Sequence, residues 1–287
     1  MPNHPSLTSS RRAAAGPLAL IALCAALFGC VHRPSGPADV PSIHAWTWST
    51  IGQSIEGRPI LARTVGSGAR RILLVGSIHG DEPWGRLALE RLIASESGSF
   101  LACGGQDGPT LRIILDVNPD GTAADMRTNI RGIDLNRNFP ARNFTPHTSR
   151  GATPLSEPES AVLFDELHSF NPDVVIVLHA IRRGDPFVNF DGPAGYLAER
   201  FAEAASLTDP RWTVRPEMGY ATPGSLGSFV GKDRGVPILT VEFARAHNAE
   251  LAEMALLDGL RAVYAALRDH FDSMSETRFR ASGRSQR

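Results

Sequence analysis

Three continuous apolar runs, each followed by a histidine or a carboxylate, constrain the fold of this chain most strongly. They lie within residues 71–75, 173–178 and 236–241. Short runs rich in Val, Ile and Leu are typical of strands that are covered on both faces, as in parallel sheets. Amphipathic stretches of helical length separate the runs. Alternating strands and helices predict an α/β fold with a mostly parallel β-sheet that is covered on both faces.

The patterns around these runs predict six strands and four helices. Strands are expected near 60–66, 71–76, 111–117, 173–178, 186–190 and 237–242, and helices near 84–95, 156–169, 194–207 and 248–270. Ser156 is predicted to cap the second helix, with Pro158 in its first turn and Glu159 completing a capping box.

The residues at the ends of these runs carry histidine and carboxylate side chains, which can bind a metal or transfer a proton. The first run leads into a loop that carries His79 and Glu82, the second ends at His179, and the third ends at Glu242. A single histidine in such a position is usually a hydrogen-bonded structural residue. Taken together, however, three strand ends that meet at one edge of a sheet predict one site. His79, Glu82 and His179 offer the nitrogen and oxygen donors that zinc accepts, and three protein ligands are what a catalytic zinc site requires.

The segment between these ligands contains a set of long motifs in a fixed order. They are Asn118-Pro119-Asp120-Gly121, Arg127-Thr128-Asn129, Asp134-Leu135-Asn136-Arg137-Asn138 and Pro154-Leu155-Ser156-Glu157-Pro158-Glu159. Together with His79-Gly80-Asp81-Glu82, they closely resemble the zinc carboxypeptidase superfamily, the M14 metallopeptidases. The resemblance extends over roughly residues 48–268. It implies a hydrolase with a single-domain zinc carboxypeptidase-like fold, in which helices flank a mixed, mostly parallel β-sheet.

The resemblance also implies a role for each of several residues. His79, Glu82 and His179 match the ligands of one zinc ion per chain. Glu242 matches the general acid/base, and Arg127 matches the arginine that polarises the scissile carbonyl.

Three further matches concern the substrate. Asn136 and Arg137 match the pair that binds the free carboxylate of the substrate, and Tyr220 matches the mobile tyrosine that closes over it. The implied activity is therefore an exo-acting peptidase or amidase that cleaves next to a free carboxylate.

Two segments, residues 188–194 and 219–225, look like the bacterial murein peptide amidase branch, which cleaves γ-D-glutamyl-diaminopimelate in cell-wall peptides. Arg182 and Arg183 depart from that branch, and the sequence leaves their role open. Alternatives are a general metallocarboxypeptidase and an N-acyl amino acid deacylase of the succinylglutamate desuccinylase or aspartoacylase type. The deacylase would not be expected to carry the Asn118 and Asn136 motifs. A non-enzymatic cell-wall-binding lipoprotein is a further alternative.

The amino-terminal segment predicts export and lipidation. Arg11 and Arg12 precede an apolar stretch that ends in Leu27-Phe28-Gly29-Cys30, which resembles a bacterial lipobox. The predicted division is a lipoprotein signal peptide at 1–29, a tether at 30–45, a catalytic domain at 46–272 and a polar tail at 273–287. Lipidated Cys30 would anchor the chain in a membrane, at the periplasmic face of the outer membrane. An ordinary signal peptide and an uncleaved anchor are the alternatives.

The charge of the chain adds little about its partners. The formal net charge is −1, which gives no indication of a nucleic-acid partner. The expected partners are a cell-wall-derived peptide substrate and, through the lipid, a membrane.

Overall fold

The computed structural model describes residues 47–94, 108–245 and 247–284, and the side chains up to Phe271. In this part of the chain, eight strands form one mixed sheet in the order β1-β2-β4-β3-β5-β8-β6-β7. The predicted α/β fold with helices flanking a mixed sheet is therefore confirmed. The signal peptide, the tether and Cys30 lie outside the described residues.

The strands agree with the predicted ones to within a few residues, and two short edge strands are additional. The strands are β1 Ser49–Gln53, β2 Pro59–Val65, β3 Arg71–Val75, β4 Thr110–Ile114, β5 Val174–Ile181, β6 Phe187–Asp191, β7 Thr213–Arg215 and β8 Ile238–Ala244. The four central strands β4, β3, β5 and β8 are parallel to one another. β1 and β2 extend the sheet antiparallel at one edge, and β6 pairs antiparallel with β8 near the other.

The helices are α1 Pro83–Ala94, α2 Pro119–Ala124, α3 Pro158–Phe170, α4 Gly195–Ala205 and α5 Ala249–Arg284. A 3₁₀ turn covers Leu135–Arg137 and a π-helical segment covers Ser228–Asp233. The short α2 was not predicted. The last helix was predicted to end near 270, but it continues to Arg284 and so includes most of the predicted tail.

The predicted capping box at the start of α3 is wrong. Glu157, not Ser156, is the N-cap residue, and its side chain makes no capping hydrogen bond. The Glu159 carboxylate instead accepts a hydrogen bond from Ile55 N at 3.2 Å. Tertiary contacts have therefore taken the carboxylate that the local pattern assigned to the cap.

Side chains of the central strands alternate between two buried clusters, as the two-residue period of a strand requires. Leu74 and Ile176 point to the cluster that includes α1, α4 and α5. Leu73 and Val175 point to the opposite cluster, beneath α3 and the π-helical segment. Because both faces are covered, these strands carry almost continuous apolar sequence.

None of the helices described by the structure is both long and apolar enough to cross a membrane.

Candidate active site

The predicted metal ligands meet at the carboxyl end of the parallel strands. His79 and Glu82 lie between β3 and α1, and His179 lies on β5. Ser77, between β3 and His79, has a φ of 41°. This left-handed conformation turns the chain sharply out of the strand, which a non-glycine residue adopts only at some cost. The parallel register of β3 and β5 brings the two segments together.

The donor atoms of these three buried residues converge on a common point. One potential ligand atom from each lies within 4.8 Å of the others. The two oxygens of Glu82 face the two imidazoles: Oε2 lies 2.8 Å from His179 Nδ1, and Oε1 lies 3.1 Å from His79 Nδ1. His79 Nδ1 is buried without a well-aligned hydrogen bond. Two imidazole nitrogens and a carboxylate, one nitrogen lacking a hydrogen-bond partner, suit a zinc ion.

Asp134 completes this group, and sequence analysis missed its role. His79 Nε2 lies 3.0 Å from Asp134 Oδ1, so the two ring nitrogens of His79 face carboxylates on opposite sides. A carboxylate behind a metal-binding histidine fixes the tautomer and orientation of the ring. One signal for this role was available, because Asp134 is an acidic residue two positions before Asn136 in the same motif. The resemblance assigns that motif only to substrate binding.

The charges of the site are matched to a cation. Burial works against a charged His79, but the negative charges of Glu82 and Asp134 raise its pKa to about 9. Burial likewise works against ionised Glu82 and Asp134, yet the neighbouring histidine charges hold the pKa of each well below its usual range. The two carboxylates are therefore ionised, and a metal ion would replace the proton on the imidazole.

Glu242 lies beside the ligands but in a different environment. It is directly opposite His179 in the register of β5 and β8. Burial raises the pKa of its carboxyl group, although the imidazole charges act in the opposite direction. Among the described residues, none forms a hydrogen bond or an ion pair with this carboxylate. A buried carboxylate of raised pKa next to a metal site has the properties of a general acid/base.

The predicted arginine and asparagine residues reach the same site. Arg127 Nη1 donates to Glu82 Oε1 at 2.6 Å, and its side chain is 43% exposed. Asn136 Nδ2 lies 3.4 Å from His179 Nε2. Arg137 Nη1 donates to the carbonyl of Asn136 at 2.6 Å.

The Asn118-Pro119-Asp120-Gly121 motif positions two loops of the site. Buried Asn118 donates to Ser77 O from its backbone and to Thr128 O from its side chain, at 3.1 Å each. A Cβ on Gly80 would lie 2.1 Å from the carbonyl carbon of Gly121, so only glycine permits this backbone approach. The motif thus holds the His79 loop and the loop of Arg127 together.

All predicted site residues described above line one cavity of about 380 Å³. Tyr220 lies at its edge and is 58% exposed. The wall also carries Asp191 and three arginines that the resemblance did not assign, Arg182, Arg183 and Arg215.

Comparisons with known proteins agree with this arrangement. The family model for zinc carboxypeptidases, the M14 peptidases, matches residues 44–184. Murein peptide amidase A of Escherichia coli K12 is 30% identical over 226 residues, which cover 71% of this chain and 84% of the relative. Murein peptide amidase A of Vibrio campbellii is 28% identical over 207 residues, covering 68% and 79%.

Solved structures share the fold. The crystal structure of murein-tripeptide amidase from Escherichia coli O157 has a TM-score of 0.59 and 25% identity, covering 77% of this chain and 91% of that one. Bovine thrombin-activatable fibrinolysis inhibitor has a TM-score of 0.64 at 17% identity, covering 78% and 91%, and supports the fold alone. The predicted zinc cofactor and hydrolase class agree with the family. This chain belongs to the M14 zinc carboxypeptidase family and is a zinc-dependent hydrolase.

Proposed function

We propose that this protein is an exo-acting amidase that hydrolyses the amide bond next to a free carboxylate in murein peptides, such as γ-D-glutamyl-diaminopimelate. The observation that carries the proposal is that one cavity is lined by three metal-binding residues, a buried acid/base carboxylate and guanidinium groups. Relatives named murein peptide amidase A support the choice of substrate class.

His79, Glu82 and His179 would hold the zinc ion. When bound, zinc supplies Lewis-acid chemistry, polarising an amide carbonyl and making water acidic enough to react near neutral pH. Glu242 accepts the proton that water loses as it attacks the carbonyl carbon. It then delivers this proton to the leaving amine as the carbon–nitrogen bond breaks. The raised pKa of the Glu242 carboxyl group suits it to both halves of this transfer.

Arg127 stabilises the negative charge that develops on the carbonyl oxygen. Its guanidinium is anchored between the carboxylates of Glu82 and Asp134 at 2.6 and 3.5 Å. A donor fixed in place before the reaction needs no reorganisation in the transition state, and losing one such donor typically costs about 10²–10³ in rate.

Asn136 and Arg137 bind the carboxylate of the leaving residue, and Arg137 has the planar fork that suits bidentate capture. Asp191 lines the same cavity; its Oδ1 lies 3.2 Å from Lys232 Nζ, and its Oδ2 offers an acceptor to an amino group of that residue. A Cβ on Gly227 would lie 2.1 Å from Asp191 Oδ2, so glycine leaves room for this carboxylate. Diaminopimelate carries both charge types, with carboxylates for Arg137 and a distal amino group for Asp191.

The test is an incubation of the zinc-loaded protein with L-Ala-γ-D-Glu-diaminopimelate, with the products identified by mass. We expect free diaminopimelate and L-Ala-D-Glu. A matched substrate in which the diaminopimelate carboxylate next to the scissile bond is amidated should react at least about tenfold more slowly, because a charge-assisted contact to Arg137 is lost. Equal rates on the two substrates would contradict exo-acting recognition.

The same assay separates the alternatives. A general metallocarboxypeptidase would release carboxy-terminal residues from ordinary α-linked peptides at a comparable rate. A deacylase would instead hydrolyse N-succinyl or N-acetyl amino acids.

We also propose that the chain is a lipoprotein, cut before Cys30, lipidated there and held at the periplasmic face of the outer membrane. The basic residues, the apolar stretch and the Leu27-Phe28-Gly29-Cys30 sequence support this proposal. The location also suits the substrate, because wall peptides are present in that compartment.

A further inference from the structure

Arg182 and Arg183 make one wall of the active-site cavity strongly basic. They follow β5, which carries His179, and both line the cavity together with Arg215. None of these three side chains belongs to the proposed zinc ligands or is the proposed acid/base. Such a concentration of guanidinium groups in a cavity raises the local concentration of anions.

Arg182 is held in a defined place next to the metal ligands. Its Nη2 donates to Asp81 Oδ2 at 2.8 Å, and Asp81 immediately precedes Glu82. Asp81 is also anchored, because Arg245 Nη2 donates to its backbone carbonyl at 2.7 Å. The Arg182 side chain is nevertheless 76% exposed, so its other N–H groups remain available to a ligand.

The positive charge on this wall is only partly neutralised by protein carboxylates. Asp81 is shared by Arg182 and Arg245, the latter at 3.7 Å. Within the described part of the chain, no carboxylate pairs with Arg183. The guanidinium of Arg215 lies 4.0 Å from the centre of the Phe187 ring and likewise has no carboxylate partner among those residues.

This wall is distinct from the one that carries Arg137. The backbone of Arg137 lies against the loop that contains Tyr220, since a Cβ on Gly224 would lie 2.4 Å from Arg137 O. Arg182 instead donates to Asp81, in the loop between β3 and α1. When Arg137 binds the leaving-side carboxylate of a substrate, the scissile amide would lie at the metal ligands. The acyl side of that substrate would then extend toward the wall of Arg182 and Arg183.

We propose that Arg182 and Arg183 form a second carboxylate subsite, which selects substrates that bear a free carboxylate on the acyl side of the scissile bond. The inference rests on the proposed function and makes its substrate class narrower. In a γ-linked glutamyl residue, the side-chain carboxyl forms the scissile amide and the α-carboxylate stays free. An α-linked peptide has no main-chain carboxylate at that position. The subsite therefore distinguishes γ-glutamyl amides from ordinary peptides by charge.

The test compares two substrates that differ only in this group, L-Ala-γ-D-Glu-diaminopimelate and its counterpart in which the glutamyl α-carboxylate is a carboxamide. Both keep the leaving-side carboxylate. We expect the full-length zinc enzyme to prefer the free α-carboxylate about tenfold in kcat/KM, the loss typical of one charge-assisted hydrogen bond. R183Q should bring this ratio close to one. R200Q, at an exposed arginine on α4 outside the cavity, should leave the ratio and the activity unchanged.

A binding measurement supplies a readout that does not depend on turnover. Calorimetric titration of both substrates into zinc-loaded E242Q should show the same preference in Kd, and adding R183Q to that variant should remove it. Higher ionic strength should also reduce the preference, because exposed charges are screened.

The outcomes separate this inference from the proposed function. If both substrates are cleaved equally well, or if R183Q keeps the full ratio, the second subsite is refuted and the amidase proposal stands. If neither substrate is cleaved, the proposed function fails and the subsite fails with it.

Discussion

At His79, one ring nitrogen faces Glu82 and the other faces Asp134, so the orientation of this proposed zinc ligand depends on a residue outside the proposed ligand set. Asp134 Oδ1 is held in turn by the backbone N–H of Asn136 at 3.0 Å. The motif that contains Asn136 and Arg137, the proposed substrate-binding pair, thus also braces the proposed zinc site.

Asp134→Asn tests this bracing. The amide keeps the shape but loses the charge that holds the His79 tautomer, so zinc affinity should fall about 10–100-fold, the usual cost of losing such a partner. The readout is zinc retention against a chelator, measured by elemental analysis. His179→Ala should lose most of the zinc outright, because it removes a ligand. H168A, at an exposed histidine on α3, is the matched control and should retain one zinc per chain. Wild-type zinc retention by Asp134→Asn would refute the bracing role.

Glu242→Gln separates acid/base chemistry from metal binding. Glutamine is nearly isosteric but cannot accept a proton, so kcat should fall by at least about 10²–10⁴. Zinc content and the unfolding midpoint should stay close to those of the wild type, since Glu242 makes no hydrogen bond or ion pair within the described residues. Near-normal turnover would exclude Glu242 as the acid/base, and loss of zinc would instead indicate a ligand.

The sequence was sufficient to predict the site residues that lie at the ends of strands. It was not sufficient to predict a residue that affects the site only by contacting another site residue. His179 and Glu242 follow apolar runs, so their position is visible in the pattern. Asp134 follows no such run. Its role depends on a 3.0 Å contact to His79 across 55 positions of sequence, which no local pattern specifies.

At the scale of elements, buried carboxylates on two helices accept hydrogen bonds from the hairpin formed by β1 and β2 and so fix it to the rest of the domain. Asp120 on α2 accepts hydrogen bonds from Ser54 Oγ and Glu56 N at 2.7 and 2.9 Å. Glu159 on α3 accepts one from Ile55 N. These long-range contacts explain why β1 and the true start of α3 were missed. The sequence of β1 is short and weakly apolar, and the carboxylate expected in a capping box is used by the hairpin instead.

Asp116, between β4 and α2, should make stability depend on pH. Burial raises the pKa of its carboxyl group to about 6, and the nearby charges on α1 act in opposite directions, Arg86 lowering and Glu90 raising it. A raised pKa means that the folded state binds the proton more tightly than the unfolded state. The resulting stability is present below about pH 4 and is lost as the pH rises through 6.

Asp116→Asn removes this dependence while keeping an acceptor for Asn118 N, which donates to Asp116 at 2.9 Å. Relative to the wild type, the variant should be more stable by about 1–2 kcal/mol at pH 7 and roughly equal at pH 4. Urea unfolding at both pH values measures the difference. Asp165→Asn, at an exposed position on α3, should give a difference that does not change with pH. A variant that is less stable at pH 7 would contradict the prediction.

At the scale of the whole molecule, the sheet brings together residues that are far apart in the sequence. Parallel pairing of β3, β5 and β8 places the carboxyl ends of three strands side by side, with His179 opposite Glu242 in register. This architecture could be predicted because the apolar runs define the strands and parallel strands need crossover helices. The basic wall formed by Arg182 and Arg183 could not be predicted from the sequence, because Asp81, which anchors Arg182, comes from a different loop.

The remaining prediction concerns where this site operates. In the proposed lipoprotein, two or more acyl chains on Cys30 bind the bilayer stably, since each buried methylene contributes about 0.8 kcal/mol and a single chain gives only marginal anchoring. Residues 31–45, the rest of the predicted tether after Cys30, lie outside the described residues. The enzyme would then reach wall peptides close to the membrane.

Cys30→Ser should shift the protein from the membrane to the soluble fraction, abolish incorporation of labelled palmitate and leave amidase activity intact. Cys103→Ser, the matched control, should fractionate like the wild type. A wild-type protein that is soluble and begins at a residue other than Cys30 would refute the anchor, while the zinc site and its chemistry would be unaffected.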